Sequence, residues 1–233
     1  MRRVILVKAM SEERHDISRY RTSQGIEGEF EPGSRGRVLR NKLGIRSKRQ
    51  MDQAEGLALL KAQERYLHLV TSETTFTADV ICRMHRDWLG RIYEWAGRYK
   101  SVELSKGSFR WPPARLVAQN MEAVERETLH RLTPCRGGTV AAVARAMAEV
   151  QAELLMVHPY REGNGRLARW VSDLMAMQAG LPAVDYGFRG KGSRLRRREY
   201  LQAVVSGYVK DYEPLTRFLA EAIERALRER GER

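Results

Sequence analysis

His158-Pro159-Tyr160-Arg161-Glu162-Gly163-Asn164-Gly165-Arg166-Leu167-Ala168-Arg169 is the stretch on which the reading of this 233-residue chain turns. Pro159 disfavours helical geometry at the residue before it, so a helix arriving from the N-terminal side must stop at His158. Gly163 and Gly165 permit positive φ and let another group approach the backbone closely. A new helix opens at once, so unpaired N–H groups at the positive end of its dipole face into the loop and form an anion cradle. Arg166 and Arg169 are three apart in the first turn, hence on one face, and arginine matches phosphate oxygens. Positive charge in a first turn opposes the dipole, which implies an external anion there. Glu162 is a hard oxygen donor suited to Mg²⁺, which commonly takes one or two carboxylates together with substrate phosphates. His158 is the nearby side chain able to accept a proton at neutral pH. Base, metal carboxylate, cradle and two clamps are the parts needed for transfer from a nucleoside triphosphate.

Outward from this stretch the chain reads as helical. Residues 1–46 are irregular, broken by Gly25, Gly28, Pro32, Gly33, Gly36 and Gly44. A first helix is expected from the cap Ser47, with Ala54, Leu57, Leu60 and Leu67 on its buried face. A second starts at Thr77, where Phe76 can staple onto Ile81 and the stripe runs on through Met84, Trp88 and Ile92, ending before Gly97. The period then changes. Val102 and Leu104 alternate with polar residues, and so do Phe109 and Trp111 after Ser105-Lys106-Gly107-Ser108. This predicts a β-hairpin over 101–112, closed by Pro112-Pro113. Helical spacing returns over 114–132, then from the cap Thr139 through Leu154, and from about 165 to Gly180. Two further helices are expected over about 196–209 and 214–229. The fold class is therefore all-α, a helical bundle with one β-hairpin. The organisation is an N-terminal segment, 1–46, followed by the helical domain, 47–233.

Charge is unevenly spread. The chain has 42 Lys+Arg against 29 Asp+Glu, a net of +13. Residues 1–50 hold 13 basic and 6 acidic side chains, and 189–198 hold six basic and none acidic; the remainder carries 23 of each sign. Such clusters suit phosphate, nucleic acid or an acidic protein surface. Two cysteines make no disulfide framework or metal spacing. No apolar run approaches the roughly 18 residues needed to span a bilayer, and no secretory leader is evident. Membrane-spanning, collagen-like and disulfide-stapled classes are thereby excluded, and a soluble, cytoplasmic protein is expected.

The stretch 158–169 resembles the signature of the Fic family, His-x-Phe-x-(Asp/Glu)-Gly-Asn-Gly-Arg-x-x-Arg, departing only at Tyr160, which keeps the ring expected to anchor the loop. The likeness covers roughly 50–220. Ile92-Tyr93-Glu94-Trp95-Ala96-Gly97 resembles the family's Trp-Ala-Gly corner, and Leu104-Ser105-Lys106-Gly107 its β-hairpin flap. The resemblance implies transfer of AMP from ATP to a Tyr, Ser or Thr hydroxyl of a target protein, with diphosphate leaving. His158 would be the base and Glu162 would hold Mg²⁺. Gly163, Asn164 and Gly165 would cradle the phosphates, with Arg166 on the β- and Arg169 on the γ-phosphate. The flap residues Val102, Glu103, Leu104, Ser105, Lys106 and Gly107 would offer an edge to which a target segment adds as a strand. The resemblance also includes an inhibitory pattern, (Ser/Thr)-x-x-x-Glu-(Gly/Asn), whose Glu pairs with the second motif arginine. Ser23 and Glu27, within Ser23-Gln24-Gly25-Ile26-Glu27-Gly28, fit it. Glu55-Gly56 does not, because Met51 occupies the hydroxyl position.

Alternatives are another nucleotide or phosphate donor, removal of AMP, and, in a different class, a basic helical nucleic-acid binder. The last predicts affinity that falls steeply with salt and is indifferent to His158→Ala. A protein target is favoured over nucleic acid. Self-association is left open.

Overall fold

The computed structural model describes residues 21–22 and 26–231. Short pieces come first: β1 (Arg21–Thr22), then a 3₁₀ turn at Ile26–Gly28. The irregular stretch that follows sends Val38 into the core, and Lys42 N–H donates to the Ile92 carbonyl (2.8 Å). Helices α1 (Lys48–Leu69) and α2 (Ala78–Leu89) then pack together. β2 (Leu104–Lys106) and β3 (Phe109–Arg110) form the hairpin. α3 (Val117–Val124) runs through a wide turn at Glu125–Leu129 into the single turn α4 (His130–Leu132). α5 (Val140–Val157), α6 (Asn164–Gln178), α7 (Ser193–Gly207) and α8 (Glu213–Gly231) complete the bundle.

α5 is the central post, packed against α3, α6, α7 and α8. It is apolar nearly all round, as a helix enclosed by others must be. Its one buried amide, Gln151, donates to Ser172 Oγ (2.6 Å) and accepts from Tyr200 Oη (2.7 Å), so no polar atom there is stranded. The expected caps form: Ser47, Thr77 and Thr139 accept from Gln50, Val80 and Ala142 N–H. Ser172, Gln151 and the aromatic residues around them tie α5, α6 and α7 into one unit that carries the 158–169 loop between two of its members.

One expectation fails and one is extended. Along α1 it is Met51, Glu55, Ala62 and Tyr66 that are buried, while Leu57, Leu60 and Leu67 stand 54%, 62% and 53% exposed. The inward register is set by Glu55, whose carboxylate meets an arginine across the interior, and no reading of apolar spacing weights a glutamate that way. The sheet, moreover, has three strands in the order β1-β2-β3. β1 lies antiparallel on β2, with Arg21 opposite Ser105 and Thr22 opposite Leu104. A two-residue strand inside a Gly-rich segment carries no alternation to read. Among the described residues, no helix is long and apolar enough to cross a membrane.

Candidate active site

The 158–169 loop is fastened at each position before it presents any chemistry. α5 ends in His158 at φ 52° and ψ 60°, left-handed backbone that costs a residue bearing a Cβ about 1–2 kcal/mol. Lys100 N–H donates to the Pro159 carbonyl (2.8 Å). Asn164 clasps the loop at two points, its Oδ1 accepting from Tyr160 N–H (2.9 Å) and its Nδ2 donating to Tyr160 O (2.6 Å). Tyr160 is fully buried and stacks on His85 (3.9 Å, 8°). The His85 ring in turn bridges two segments. Gly97 N–H donates to its Nδ1 (2.8 Å), so Nε2 carries the proton and donates to the Glu162 carbonyl (3.1 Å). Burial holds that ring neutral, pulling its pKa down to about 4.

Gly163 is required for two reasons. Its φ of 86° suits glycine, and a Cβ there would lie 2.8 Å from a Trp88 ring carbon. The loop therefore rests on the Trp88 ring. Arg166 also stacks on Trp88 (4.7 Å to the centroid), and Trp88 Nε1–H donates to the Glu55 carbonyl (2.9 Å).

His158 is buried, with Nδ1 3.2 Å from the Leu155 carbonyl. A carbonyl only accepts, so Nδ1 carries the proton and the lone pair is on Nε2. The Trp111 ring lies against it (4.1 Å). Burial, then the positive charges of Lys100 and Lys106, outweigh the Leu155 carbonyl and push its pKa down to about 3. The imidazole is thus a neutral base over the whole physiological range. Glu162 Oε1 accepts from Gly163 N–H (2.9 Å) at the start of α6, beside Arg166 (3.5 Å). A cleft of about 320 Å³ opens here, with Glu55, Glu162 and Arg166 on its polar side and Val38 and Met51 on its apolar side.

Residues 75–176 match the model of the Fic/DOC family. These residues form a Fic/DOC family domain. The chain is 26% identical over 172 residues to the protein adenylyltransferase VbhT of Bartonella schoenbuchensis, covering 73% of this chain and 34% of that one. It is 27% identical to the protein adenylyltransferase Fic of Nematostella vectensis over 82% of this chain and 42% of that one. The chain thus spans well under half the length of these two relatives. The probable protein adenylyltransferase y4lH of Sinorhizobium fredii is 25% identical, and there 87% of the relative is covered. In fold it is similar to the BepC protein of Bartonella tribocorum solved with bound AMPPNP (TM-score 0.65, 19% identity, 84% of this chain and 96% of that one).

Within the Fic/DOC domain the two motif arginines part. Arg166 pairs with buried Glu55 (2.7 Å). Burial works against its charge, but Glu55 and Glu162 more than restore it, holding its pKa above the usual guanidinium value. Arg169, one turn on, lies over the rings of Tyr186, Phe188 and Tyr200 at 5.4–5.8 Å. The expected single face of two clamps is therefore split between an acidic partner and an aromatic one. The expected Glu27 contact with Arg169 is not made. Glu27 instead accepts from Ser101 N–H (3.0 Å), and its carbonyl accepts from Arg161 Nε (2.8 Å). Ser23 lies outside the described residues. The carboxylate from outside the motif that meets a motif arginine is Glu55, which the pattern had set aside for want of a hydroxyl residue at position 51. Its burial on α1 was the missed signal, along with His85, and with Trp88, read only as part of an apolar stripe.

In the flap, Val102 and Leu104 point inward with Phe109 and Trp111, and Glu103 accepts from Ala114 N–H (3.0 Å). Gly107 makes the turn at φ 58°. Of the basic 189–198 stretch, Arg196 pairs with Glu199 and Glu221, and Arg197 donates to the Phe188 carbonyl (2.9 Å), so part of that charge is internal.

Lys100 stands out at the root of the flap. Its Nζ is buried and makes no hydrogen bond among the described residues. Burial pulls its pKa down to about 8. Between pH 8 and 10.5 the folded chain binds fewer protons than the unfolded one, so stability rises with pH across that window and is lowest below it. Lys100→Met is accordingly expected to stabilise the protein by about 2–3 kcal/mol at pH 7. The gain should fade as the pH approaches 10.5. Thermal unfolding of both chains from pH 7 to 10 tests this; a variant less stable at pH 7 would contradict it.

Proposed function

We propose that this domain transfers AMP from ATP to a Tyr, Ser or Thr hydroxyl of a target protein. The observation that carries the reading is His158, a buried neutral imidazole with its lone pair on Nε2, held in left-handed backbone one loop before the N-terminus of α6. In this reading the target O–H gives its proton to Nε2 as its oxygen attacks the α-phosphorus. The bond from that phosphorus to the bridging oxygen breaks, and diphosphate leaves. The backbone N–H groups of Gly163, Asn164 and Gly165 and the positive end of the α6 dipole receive the phosphate charge. Arg166 would bind the β-phosphate, and Arg169 the γ-phosphate.

Among the described residues no three His, Cys, Asp or Glu side chains converge as a metal cage. Glu162 offers a single carboxylate at the phosphate cradle, a donor set that fits a cation arriving with the nucleotide. Mg²⁺ held by Glu162 would supply charge neutralisation on the α- and β-phosphates. The names of the adenylyltransferase relatives and the AMPPNP bound in the BepC structure support the choice of ATP and of AMP.

Incubation with α-labelled and, separately, γ-labelled ATP in a lysate distinguishes the donors. Label retained on protein only from the α position is the expected result; label only from γ overturns AMP transfer.

Arg166 cannot serve a phosphate while Glu55 holds it. Glu55→Gln keeps a hydrogen-bonding side chain for Tyr93 Oη (2.5 Å to Glu55 in the native chain) while removing the charge. We expect it to raise self-labelling from α-labelled ATP several-fold, about 1 kcal/mol of released competition. An unchanged rate removes Glu55 from control of the site.

A further inference from the structure

The edge of the flap is already occupied. Leu104 O accepts from Trp111 N–H (3.1 Å), so Leu104 turns its backbone groups toward β3. In an antiparallel ladder the next residue turns its groups the other way. Ser105 therefore presents its N–H and C=O to the outer edge, and that is where Arg21 pairs with it. Of the two register pairs between β1 and β2, Arg21 with Ser105 and Thr22 with Leu104, the first is the one whose backbone groups face each other.

Two further contacts lie along the same segment. The Glu27 carboxylate accepts from Ser101 N–H (3.0 Å), at the root of the flap. The Glu27 carbonyl accepts from Nε of Arg161 (2.8 Å), a buried side chain inside the motif loop. Arg21 at the flap edge, and Glu27 at the flap root and the catalytic loop, are thus only six positions apart in the sequence.

We infer that β1, Arg21–Thr22, is an intramolecular occupant of the flap's outer edge, seated where a target segment would add as a strand, and that a target must displace β1 from Ser105 before it can dock. The inference rests on the reading of 101–112 as a docking flap. It identifies the partner that fits this surface as an extended segment antiparallel to β2, supplied in the resting chain by the chain itself. The geometry explains why so short a strand holds. Each strand bond alone contributes little, but the Glu27 links to Ser101 and Arg161 tether the segment. Tethering raises its effective concentration at the edge to the millimolar range without any added contact. An untethered target must compete with that.

Arg21→Pro in the full chain tests this, because proline lacks the backbone N–H that a strand residue opposite Ser105 needs to pair with it. Hydrogen exchange at the Ser105 amide should speed up about tenfold or more in the variant, while core amides in α5 keep their protection. A synthetic peptide of residues 17–26 added in excess should restore Ser105 protection in the variant, and the same peptide with proline at position 21 should not. Ser105 equally protected in both chains overturns the inference, as does failure of the native peptide to restore protection. Labelling of other proteins from α-labelled ATP should rise several-fold in Arg21→Pro; a variant that transfers label no faster than the native chain overturns the displacement step. If neither chain transfers label, AMP transfer itself fails, and the exchange result still decides occupancy of the edge.

Discussion

Replacing His158 is expected to lower AMP transfer by about 10²–10⁴-fold, the range over which a positioned general base contributes. The residue makes the strongest demand in the site, since it combines left-handed backbone, burial and a defined tautomer. Alanine at this position would also meet the left-handed backbone without the compensating contacts of the ring, so His158→Asn is the cleaner companion, because asparagine tolerates that region. The fold should survive either change. Leu155 O still accepts from Trp111 Nε1 (3.1 Å) and Tyr208 Oη (3.3 Å), and the helix ends as before at Pro159. Single-turnover labelling with α-labelled ATP, beside thermal unfolding, separates chemistry from stability. Full activity in a folded His158→Asn chain would show that the base lies elsewhere.

Gly163→Ala should damage the site from the other direction. The new Cβ would sit 2.8 and 3.0 Å from two ring carbons of Trp88 while φ stays at 86°. Backbone strain of about 1–3 kcal/mol and overpacking of similar size are both called for. We expect a loss of about 2–4 kcal/mol, and in a chain of this length a fall in Tm of about 5–15 °C. Because Trp88 also stacks on Arg166 and donates to the Glu55 carbonyl, the displaced ring should carry the Arg166–Glu55 pair with it. Nucleotide affinity should then fall together with stability. A double-mutant cycle with Trp88→Leu checks the mechanism: if the clash is the cause, the smaller side chain recovers part of what alanine lost, and strictly additive losses would place the damage in the backbone alone.

What was legible in the sequence was local. Pro159 stops the helix before it, Thr77 caps through its own side chain, and the motif loop has glycine at 163, where φ is positive. Those rules act within four residues, so one sequence shows them. The hairpin, too, was visible in the alternation of Val102, Leu104, Phe109 and Trp111. What escaped was set by partners far along the chain. Glu55 is buried because Arg166, more than a hundred residues later, meets it, and the leucines of the same helix face outward as a result. Arg169 turns away from Arg166 because Tyr186, Phe188 and Tyr200 fold back over it. Glu27 fitted a short pattern for pairing with Arg169, yet its carboxylate lies on Ser101, since the segment bearing it follows the flap and not α6. His85 carries no motif of its own, and only the bonds to Gly97 and Glu162 give it a task.

The carbonyl of Leu155 has a consequence for how this protein can vary. It takes hydrogen bonds from the flap through Trp111, from the base through His158 and from the residue after α7 through Tyr208. Position 111 is therefore bound to the reaction centre and has little freedom to drift. Ser105 and Gly107, on the far strand and turn of the same hairpin, make no hydrogen bond to that carbonyl, and Lys106 between them bears on His158 only through its charge. One small ribbon thus has a conservative strand and a permissive one. A lineage could exchange the proteins it recognises by rewriting the permissive side, and the proton transfer would go on unaltered behind Trp111.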